Sequence, residues 1–187
     1  KNRLNIRPGY QITGCIDNRL RRDADHRRLG SLVETAESGC RDAVAREIGR
    51  RITAHMGAAL IIDYGHMHSA AGDTLQAIRK HQFADVLAQP GEADVTSHVD
   101  FEALTGAVTA DGAKPYGPVM QGDFLIKMGL KEREEMLRAR ADARQRIRLA
   151  KGAQRLVSGN QMGQLFKVLA VTHPDMPKPA PFNVEPA

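Results

Sequence analysis

The most informative stretch of this sequence is Gly57-Ala58-Ala59-Leu60-Ile61-Ile62-Asp63-Tyr64-Gly65-His66. Its part from Ala58 to Asp63 shows no alternation of polar and apolar side chains, which is typical of a strand buried on both faces. The last four residues of the stretch are predicted to lie where that strand leaves the sheet. Because ligands of open α/β sheets bind outside the carboxyl ends of strands, this turn is the predicted edge of an active site.

An amphipathic helix is predicted directly before this strand. Val44, Ile48, Ile52 and Met56 recur every four residues and therefore form one apolar stripe along a helix. Gly57 is a suitable residue for the end of that helix. A helix that leads at once into a buried strand is half of a βαβ unit, so the pattern predicts a parallel sheet.

Further along the chain the periodicity predicts fewer elements. Asp100 is a suitable N-cap for a helix that begins at Phe101. A strand is predicted at 166–171 and a turn or short strand at 115–120, whereas residues 74–87 fit neither a helical nor a strand period. Residues 131–157 are predicted as one long helical stretch. Its arginines alternate with Glu and Asp, which favours a solvated helix face.

The length and composition favour one globular domain. The chain has 187 residues, of which 42% are hydrophobic and 26% charged, as in ordinary globular proteins. We expect a folded domain over 31–173. The basic segment before it, residues 1–30, has no assigned fold, and disorder is one interpretation of it. Residues 174–187 hold five of the nine prolines and are predicted to be a mobile tail. No apolar run approaches the roughly 20 residues of a membrane helix, so membrane insertion is not predicted.

The net charge of +5 comes entirely from the first 56 residues, which carry 12 Lys or Arg and 7 Asp or Glu. Five arginines lie between Arg19 and Arg28, and such a cluster can bind phosphate backbones. Asp23 and Asp25 interrupt this region and Asp17 precedes it, however, and it contains no aromatic residue for base stacking. We therefore favour a solvated segment and predict no nucleic-acid partner.

Four segments of the chain occur in an order and spacing that resembles a known family. They are Ile61–His66, Pro90–Phe101, Gly117–Leu125 and Met162–Ala170. Together they resemble the C-terminal part of the MidA-type family of class I S-adenosylmethionine-dependent methyltransferases. The resemblance implies a Rossmann-like α/β fold in which a seven-stranded, mostly parallel sheet has helices on both faces. Ala58–Asp63 would be the fifth strand, and the strands at 115–120 and 166–171 would be the last two.

One departure from the family pattern concerns the cofactor site. The family binds its cofactor with a Glu-x-Gly-Pro-Gly-x-Gly loop after its first strand, and this sequence contains no Gly-x-Gly at all. The family's Asn-Glu-Phe-Phe-Asp-Ala motif is missing as well. The resemblance therefore makes 31–173 the C-terminal portion of a methyltransferase domain whose N-terminal cofactor-binding strands are missing. Such a chain is expected to be inactive alone.

The resemblance also implies a function for the whole protein. S-adenosyl-L-methionine would be the cofactor, and the reaction would be protein-arginine methylation linked to assembly of respiratory complex I, with a complex I subunit as the protein substrate. The alternative is a non-catalytic module that contacts a respiratory-chain subunit without methylating it. The expected location is the cytoplasm of a bacterium, or the mitochondrial matrix if the protein is eukaryotic.

Two groups of site residues follow from the motifs and from the strand end. The expected catalytic residues are Asp63, Tyr64 and His66. The expected substrate-binding residues are Asp94, His98 and Asp100. Carboxylates at such a site would orient and partly neutralise the guanidinium of a substrate arginine. No residue of this chain is expected to bind the cofactor or a metal.

Each of these residues also has a structural reading. Asp63 can cap the turn that follows it through an Asx-type hydrogen bond. For Asp100 we favour helix capping, and for Tyr64 the alternative to packing over substrate or cofactor is shielding of the sheet edge. His98 is as readily a structural histidine. His66 and His68 form a pair, but no further ligand lies at metal-binding spacing.

Overall fold

The computed structural model describes residues 26–70, 74–88 and 91–182. Its helices are α1 (His26–His55), α2 (Phe101–Thr109), α3 (Gln121–Lys127), α4 (Leu130–Ala139), α5 (Ala143–Val157) and α6 (Met162–Leu165). Its strands are β1 (Ala58–His66), β2 (Gln76–Arg79), β3 (Gln82–Ala84), β4 (Asp94–Thr96), β5 (Val99–Asp100), β6 (Lys114–Met120) and β7 (Phe166–Thr172). Most of segment 1–30, including Arg19, Arg21 and Arg22 of the arginine cluster, lies outside the described residues.

These elements divide into two units, so the predicted segment 31–173 is shared between them. One unit contains α1 up to Arg41 together with strands β2 to β4. In it, β2 pairs antiparallel with β3 and with β4, giving a three-stranded sheet in the order β3-β2-β4. Sequence periodicity predicted neither β2 nor β3, because strands of four and three residues are too short to show a period.

The other unit is built on a four-stranded sheet in the order β5-β1-β7-β6. β1 runs parallel to β5 but antiparallel to β7, and β6 is antiparallel to β7. The parallel sheet predicted from the helix and strand before residue 66 is therefore present in one of the three pairings. The strand predicted at 166–171 is confirmed as β7, which lies next to β1, and residues 115–120 belong to β6 on the far side of β7.

One face of this sheet packs against α1 and α2. Phe101 and Val108 of α2 and Leu169 and Val171 of β7 are completely buried there. Ala59 and Ile61 of β1 lie on the same face, since side chains two residues apart share one side of a strand. This shared burial is the main source of stability of the unit, because each large apolar side chain removed from water contributes about 2 kcal/mol.

The predicted apolar stripe on α1 is confirmed only in its centre. Ile52 is buried and Ile48 packs against the core. Val44 and Met56, at the two ends of the stripe, are 62% and 63% exposed. The helix also begins earlier than its stripe, at His26, so periodicity located the buried face but not the length.

The prediction that β1 is buried on both faces is wrong for the described residues. Leu60 and Ile62 point to the side opposite Ala59 and Ile61, and they are 52% and 46% exposed. Their neighbours on β7, Val168 and Ala170, are buried on the same side. The strand also continues to His66 instead of ending at Asp63.

The C-terminal third differs from its prediction within residues 131–157. The single helical stretch predicted at 131–157 is interrupted at 140–142, where Asp142 caps the start of α5 through a capping box with Gln145. The tail, predicted to be mobile, is described as far as Phe182, and most of residues 174–180 are exposed. Phe182 lies 5.9 Å from Phe124 and 6.3 Å from Tyr116 between ring centroids. Residues 183–187 lie outside the described part.

Candidate functional site

The candidate site lies where the carboxyl ends of β1 and β5 meet. The two parallel strands are in register, with Gly65 opposite Val99 and His66 opposite Asp100. A Cβ atom on Gly65 would lie 2.0 Å from the carbonyl oxygen of Val99, so a side chain at Gly65 would force the strands apart. The absence of that side chain is what brings His66 beside Asp100.

Asp100 is the most firmly held carboxylate at this edge. Its Oδ1 accepts a hydrogen bond from the Ala103 backbone N–H at 3.0 Å, which caps α2 as predicted. Its Oδ2 accepts a hydrogen bond from the Ser69 hydroxyl at 2.7 Å and lies 3.7 Å from His66 Nε2. Partial burial by itself raises the pKa of Asp100, but the bonds from Ala103 and Ser69 and the nearby His66 outweigh it and lower the pKa below the ordinary value.

Ser69 and Glu102 are site residues that the sequence did not indicate. The Ser69 backbone N–H donates to Glu102 Oε2 at 2.7 Å, while its hydroxyl donates to Asp100. One serine thus ties the segment after β1 to two carboxylates at the start of α2. The only sequence signal was the pair of acids, Asp100 and Glu102, two residues apart at a helix start, and nothing in it pointed to Ser69 thirty residues earlier.

Tyr64 and His98 form an aromatic wall next to this carboxylate. The Tyr64 ring meets His98 edge-on at 5.7 Å between centroids, and it meets Phe166 in the same way at 5.7 Å. Tyr64 and His66 lie on the same side of β1, because they are two residues apart. The structure therefore brings together four of the six predicted site residues: Tyr64, His66, His98 and Asp100.

Asp63 does not belong to this group. It lies on the opposite side of β1 from Tyr64 and His66, on the face that carries Ile61, and it is directly opposite Lys167 of β7. Its Oδ1 accepts a hydrogen bond from the Tyr64 backbone N–H at 2.8 Å. The bond stays within β1, which continues to His66, so it is not the predicted Asx-type cap of a following turn.

Asp94 lies in the other unit, at the start of β4. It borders an open groove of about 280 Å³ that is also lined by Arg79 and Glu92, whose side chains approach to 3.6 Å. As for metals, the described residues contain no group of three or more His, Cys, Asp or Glu side chains arranged to hold an ion. His66 and His68 thus have no further ligand in that part of the chain.

Known proteins that are similar to this chain are methyltransferases. A family model described as "Putative S-adenosyl-L-methionine-dependent methyltransferase" matches residues 16–119, which is more than half of the chain. The chain belongs to this methyltransferase family. The resemblance drawn from the four sequence segments is thereby confirmed.

Curated relatives of this methyltransferase chain share its sequence over a limited part of their own length. "Protein arginine methyltransferase NDUFAF7, mitochondrial" of Xenopus tropicalis is 37% identical over 129 residues, covering 68% of this chain and 30% of the relative. The protein of the same name from Homo sapiens is 35% identical over 135 residues, covering 71% and 30%. The chain spans about 30% of the length of these relatives.

Solved structures of the family include two from Burkholderia thailandensis. One has a TM-score of 0.65 at 31% identity and covers 71% of this chain and 36% of its own. The second, solved with S-adenosyl-homocysteine bound, has a TM-score of 0.62 at 32% identity and covers 71% and 35%. The mixed α/β architecture is therefore that of the methyltransferase neighbours. No helix among the described residues has the length and hydropathy needed to cross a bilayer.

Proposed function

We propose that this chain forms the protein-substrate side of an S-adenosylmethionine-dependent protein-arginine methyltransferase. The observation that carries the proposal is the anchored Asp100 carboxylate at the carboxyl end of β1. It occurs in a chain of the methyltransferase family whose relatives include proteins named as arginine methyltransferases.

Asp100 has the chemistry needed to hold a guanidinium group. A carboxylate offers about four lone-pair positions; Ala103 and Ser69 use two of them, and the Glu102 backbone N–H also donates towards Asp100. The Asp100 side chain is 26% exposed, so its remaining lone pairs can be reached from solvent. A guanidinium donates paired hydrogen bonds to a carboxylate, which fixes its plane and offsets its charge. Asp100 would thereby orient the nitrogen that accepts the methyl group.

Tyr64, His98 and His66 complete the proposed arginine site. Guanidinium planes stack on aromatic rings, and the Tyr64–His98 wall supplies two such rings beside the carboxylate. His66, 3.7 Å from Asp100, supplies a polar edge with an imidazole nitrogen. Asp94, which lies in the other unit, remains a proposed substrate contact. The geometry of Asp63 does not support a catalytic role for it.

The described residues do not fit S-adenosylmethionine in the family manner. No strand among them is followed by a glycine-rich loop, and the whole sequence contains no Gly-x-Gly. We derive no step through the cofactor from this chain. When bound to the complete protein, the cofactor supplies the methyl group. The residues described here would position the acceptor.

We propose that the family's cofactor-binding strands pair with the open edge of β1. From Ala58 to Tyr64, β1 pairs with β7 on one edge, while among the described residues its other edge is paired only at Gly65 and His66. Leu60 and Ile62 on this strand are half exposed. The unpaired edge of an apolar strand can pair with a further strand. In a complete family protein, the added strands would cover this edge.

A methyl-transfer assay tests the proposed role of Asp100. In the full-length protein that carries this sequence, Asp100→Asn keeps the helix cap but removes the negative charge. We expect kcat/KM for methylation of a protein substrate to fall about 100-fold, with methylarginine as the product by mass spectrometry. Asp142→Asn, at the other capped helix start, is the matched control and should leave kcat/KM unchanged. Wild-type activity in a folded Asp100→Asn protein would refute the proposal.

Calorimetry tests the proposed division of the cofactor site. The 187-residue chain alone should show no binding of S-adenosylmethionine at micromolar concentrations, whereas the full-length protein should bind it. Micromolar binding by the chain alone would show that the site is built from residues present in it.

The proposal extends to the methyl acceptor and to the cellular location of the protein. We propose an arginine of a respiratory complex I subunit as the acceptor, in the mitochondrial matrix or, for a bacterial protein, in the cytoplasm. The support is that the named relatives are mitochondrial arginine methyltransferases. Incubation of the full-length protein with isolated complex I subunits, followed by mass spectrometry, tests this assignment. Methylation of other proteins alone would exclude it.

A further inference from the structure

The exposed side of α5 carries four cations in one stripe: Arg144, Arg148, Lys151 and Arg155. Their spacings of four, three and four residues place them one above another on a helix. At 1.5 Å per residue the stripe extends over about 16 Å. All four side chains are exposed to solvent. The solvated face predicted from alternating charges is thus, on this helix, a face of one sign.

None of the four cations of this stripe forms an ion pair with a carboxylate in the described part of the chain, since none lies within 4.0 Å of one. α5 itself contains no Asp or Glu. Neighbouring arginines are engaged differently. Arg138 pairs with Glu134 at 3.2 Å, and Arg146 Nε donates to the carbonyl oxygens of Arg138 and Ala141 at 3.1 and 2.9 Å. Arg146 therefore stabilises the turn between α4 and α5, whereas the stripe has no such structural task.

The stripe weakens the helix that carries it. Like charges three or four residues apart on a helix repel each other. The stripe contains three such pairs, because each of its cations is three or four residues from the next. Arg144 also lies in the first turn, where the helix dipole disfavours a positive charge. A partner that supplies negative charge would relieve both effects.

We propose that the stripe of Arg144, Arg148, Lys151 and Arg155 is a docking surface for an acidic segment of the protein substrate. This proposal rests on the proposed function only in that the acceptor is a protein. Arginine and lysine at successive helical turns complement carboxylates at matching intervals, and arginine binds them through paired hydrogen bonds. The segment would hold the acceptor protein while its arginine reaches the methylation site.

Two other classes of partner fit the surface less well. A membrane would require the apolar side of α5 to enter lipid, but Leu149, Leu156 and Val157 are partly covered where α5 packs against α3 and α4. Ile147, at 58% exposure, is the one large apolar side chain of α5 that solvent reaches freely. Single-stranded nucleic acid is bound with aromatic stacking platforms, and residues 130–157 contain no Phe, Tyr or Trp. An acidic polypeptide needs neither a free apolar face nor an aromatic ring.

Fluorescence anisotropy with the 187-residue chain tests the proposal. The probe is a labelled oligoglutamate peptide of about 15 residues, long enough as a helix to cover the stripe. Replacing the four stripe residues by Gln should weaken binding about tenfold or more. The matched control replaces four scattered exposed cations by Gln, and so removes the same charge: Arg46, Lys114, Lys127 and Lys178. The control should change affinity less than about twofold.

The thermal midpoint separates docking from unfolding. The stripe variant should be as stable as the parent chain or more stable, because like-charge repulsion has been removed. Equal weakening by the stripe and control variants would mean that net charge alone binds the peptide, and would overturn the proposal. Tighter stripe-dependent binding of a DNA duplex or of phosphatidylserine vesicles than of the peptide would also overturn it. Because neither cofactor nor methyl transfer is used, this result is independent of the Asp100 assay.

Discussion

Replacing Asp100 by alanine is the sharpest test of the anchored carboxylate. The substitution removes the cap bond to Ala103, which contributes about 1 kcal/mol at a helix N-terminus. It also removes the bond from the Ser69 hydroxyl. Hydrogen bonds to charged groups contribute about 1.5 to 3 kcal/mol, and we take about 1 kcal/mol because the carboxylate is partly exposed. The expected loss of unfolding free energy is therefore about 2 kcal/mol.

The assay is urea denaturation of the chain at neutral pH, with Asp142→Ala as the matched control. Asp142 caps α5 through a bond from the Gln145 N–H but lacks a second anchor such as Ser69. Its loss should cost about 1 kcal/mol, half the expected cost at Asp100. If Asp100→Ala costs no more than Asp142→Ala, the Ser69 bond contributes nothing and the anchoring argument fails.

The pH dependence gives a second check on Asp100. Its pKa in the folded chain lies below the reference value of 3.8. The stability that the ionised group contributes is therefore fully present above that reference value. It is lost as the pH falls through the lower, folded pKa. The difference between the parent chain and Asp100→Ala should shrink below pH 3.8, and a difference that stays constant with pH would contradict the assigned interactions.

Three further predictions concern packing. Gly49→Ala should cost more than about 2 kcal/mol, because its Cβ would lie 2.1 Å from the Val108 carbonyl oxygen, whereas Gly106→Ala, whose Cβ meets nothing within 4 Å, should stabilise the chain by about 0.5 kcal/mol. Similar urea midpoints for the two variants would contradict this. Phe182→Ala should cost about 2 kcal/mol through its lost ring contacts; no change would mean that the tail does not pack. Leu60→Ser should cost under about 0.5 kcal/mol in this chain but over about 2 kcal/mol in the full-length protein, and equal effects would exclude a covered face.

Local patterns in the sequence were enough to locate the main elements of the site. The apolar run gave β1, the acid before Phe101 gave the capped start of α2, and short motifs gave the methyltransferase family. These features depend on residues close together in the chain. A helix cap, a strand and a signature motif each depend on fewer than about ten consecutive residues. They can therefore be predicted without knowledge of what packs against them.

The arrangement of these elements depended on contacts between distant residues. Pairing with β7 and β5 extends β1 to His66, and alternation along this strand places Asp63 on the opposite side from Tyr64 and His66. Folding brought Ser69 onto Asp100 across thirty-one positions.

Exposure was likewise decided by the fold. The apolar run of β1 predicted two buried faces, but in the described chain only one of them is covered. The break at 140–142 separates the acidic residues of α4 from α5, which contains basic but no acidic residues. A charge pattern that appears mixed in the sequence is therefore a stripe of one sign on α5. A sequence records which side chains are available. Which of them meet, and which remain uncovered, follows from strand register and helix packing, because these are set by residues far apart in the chain.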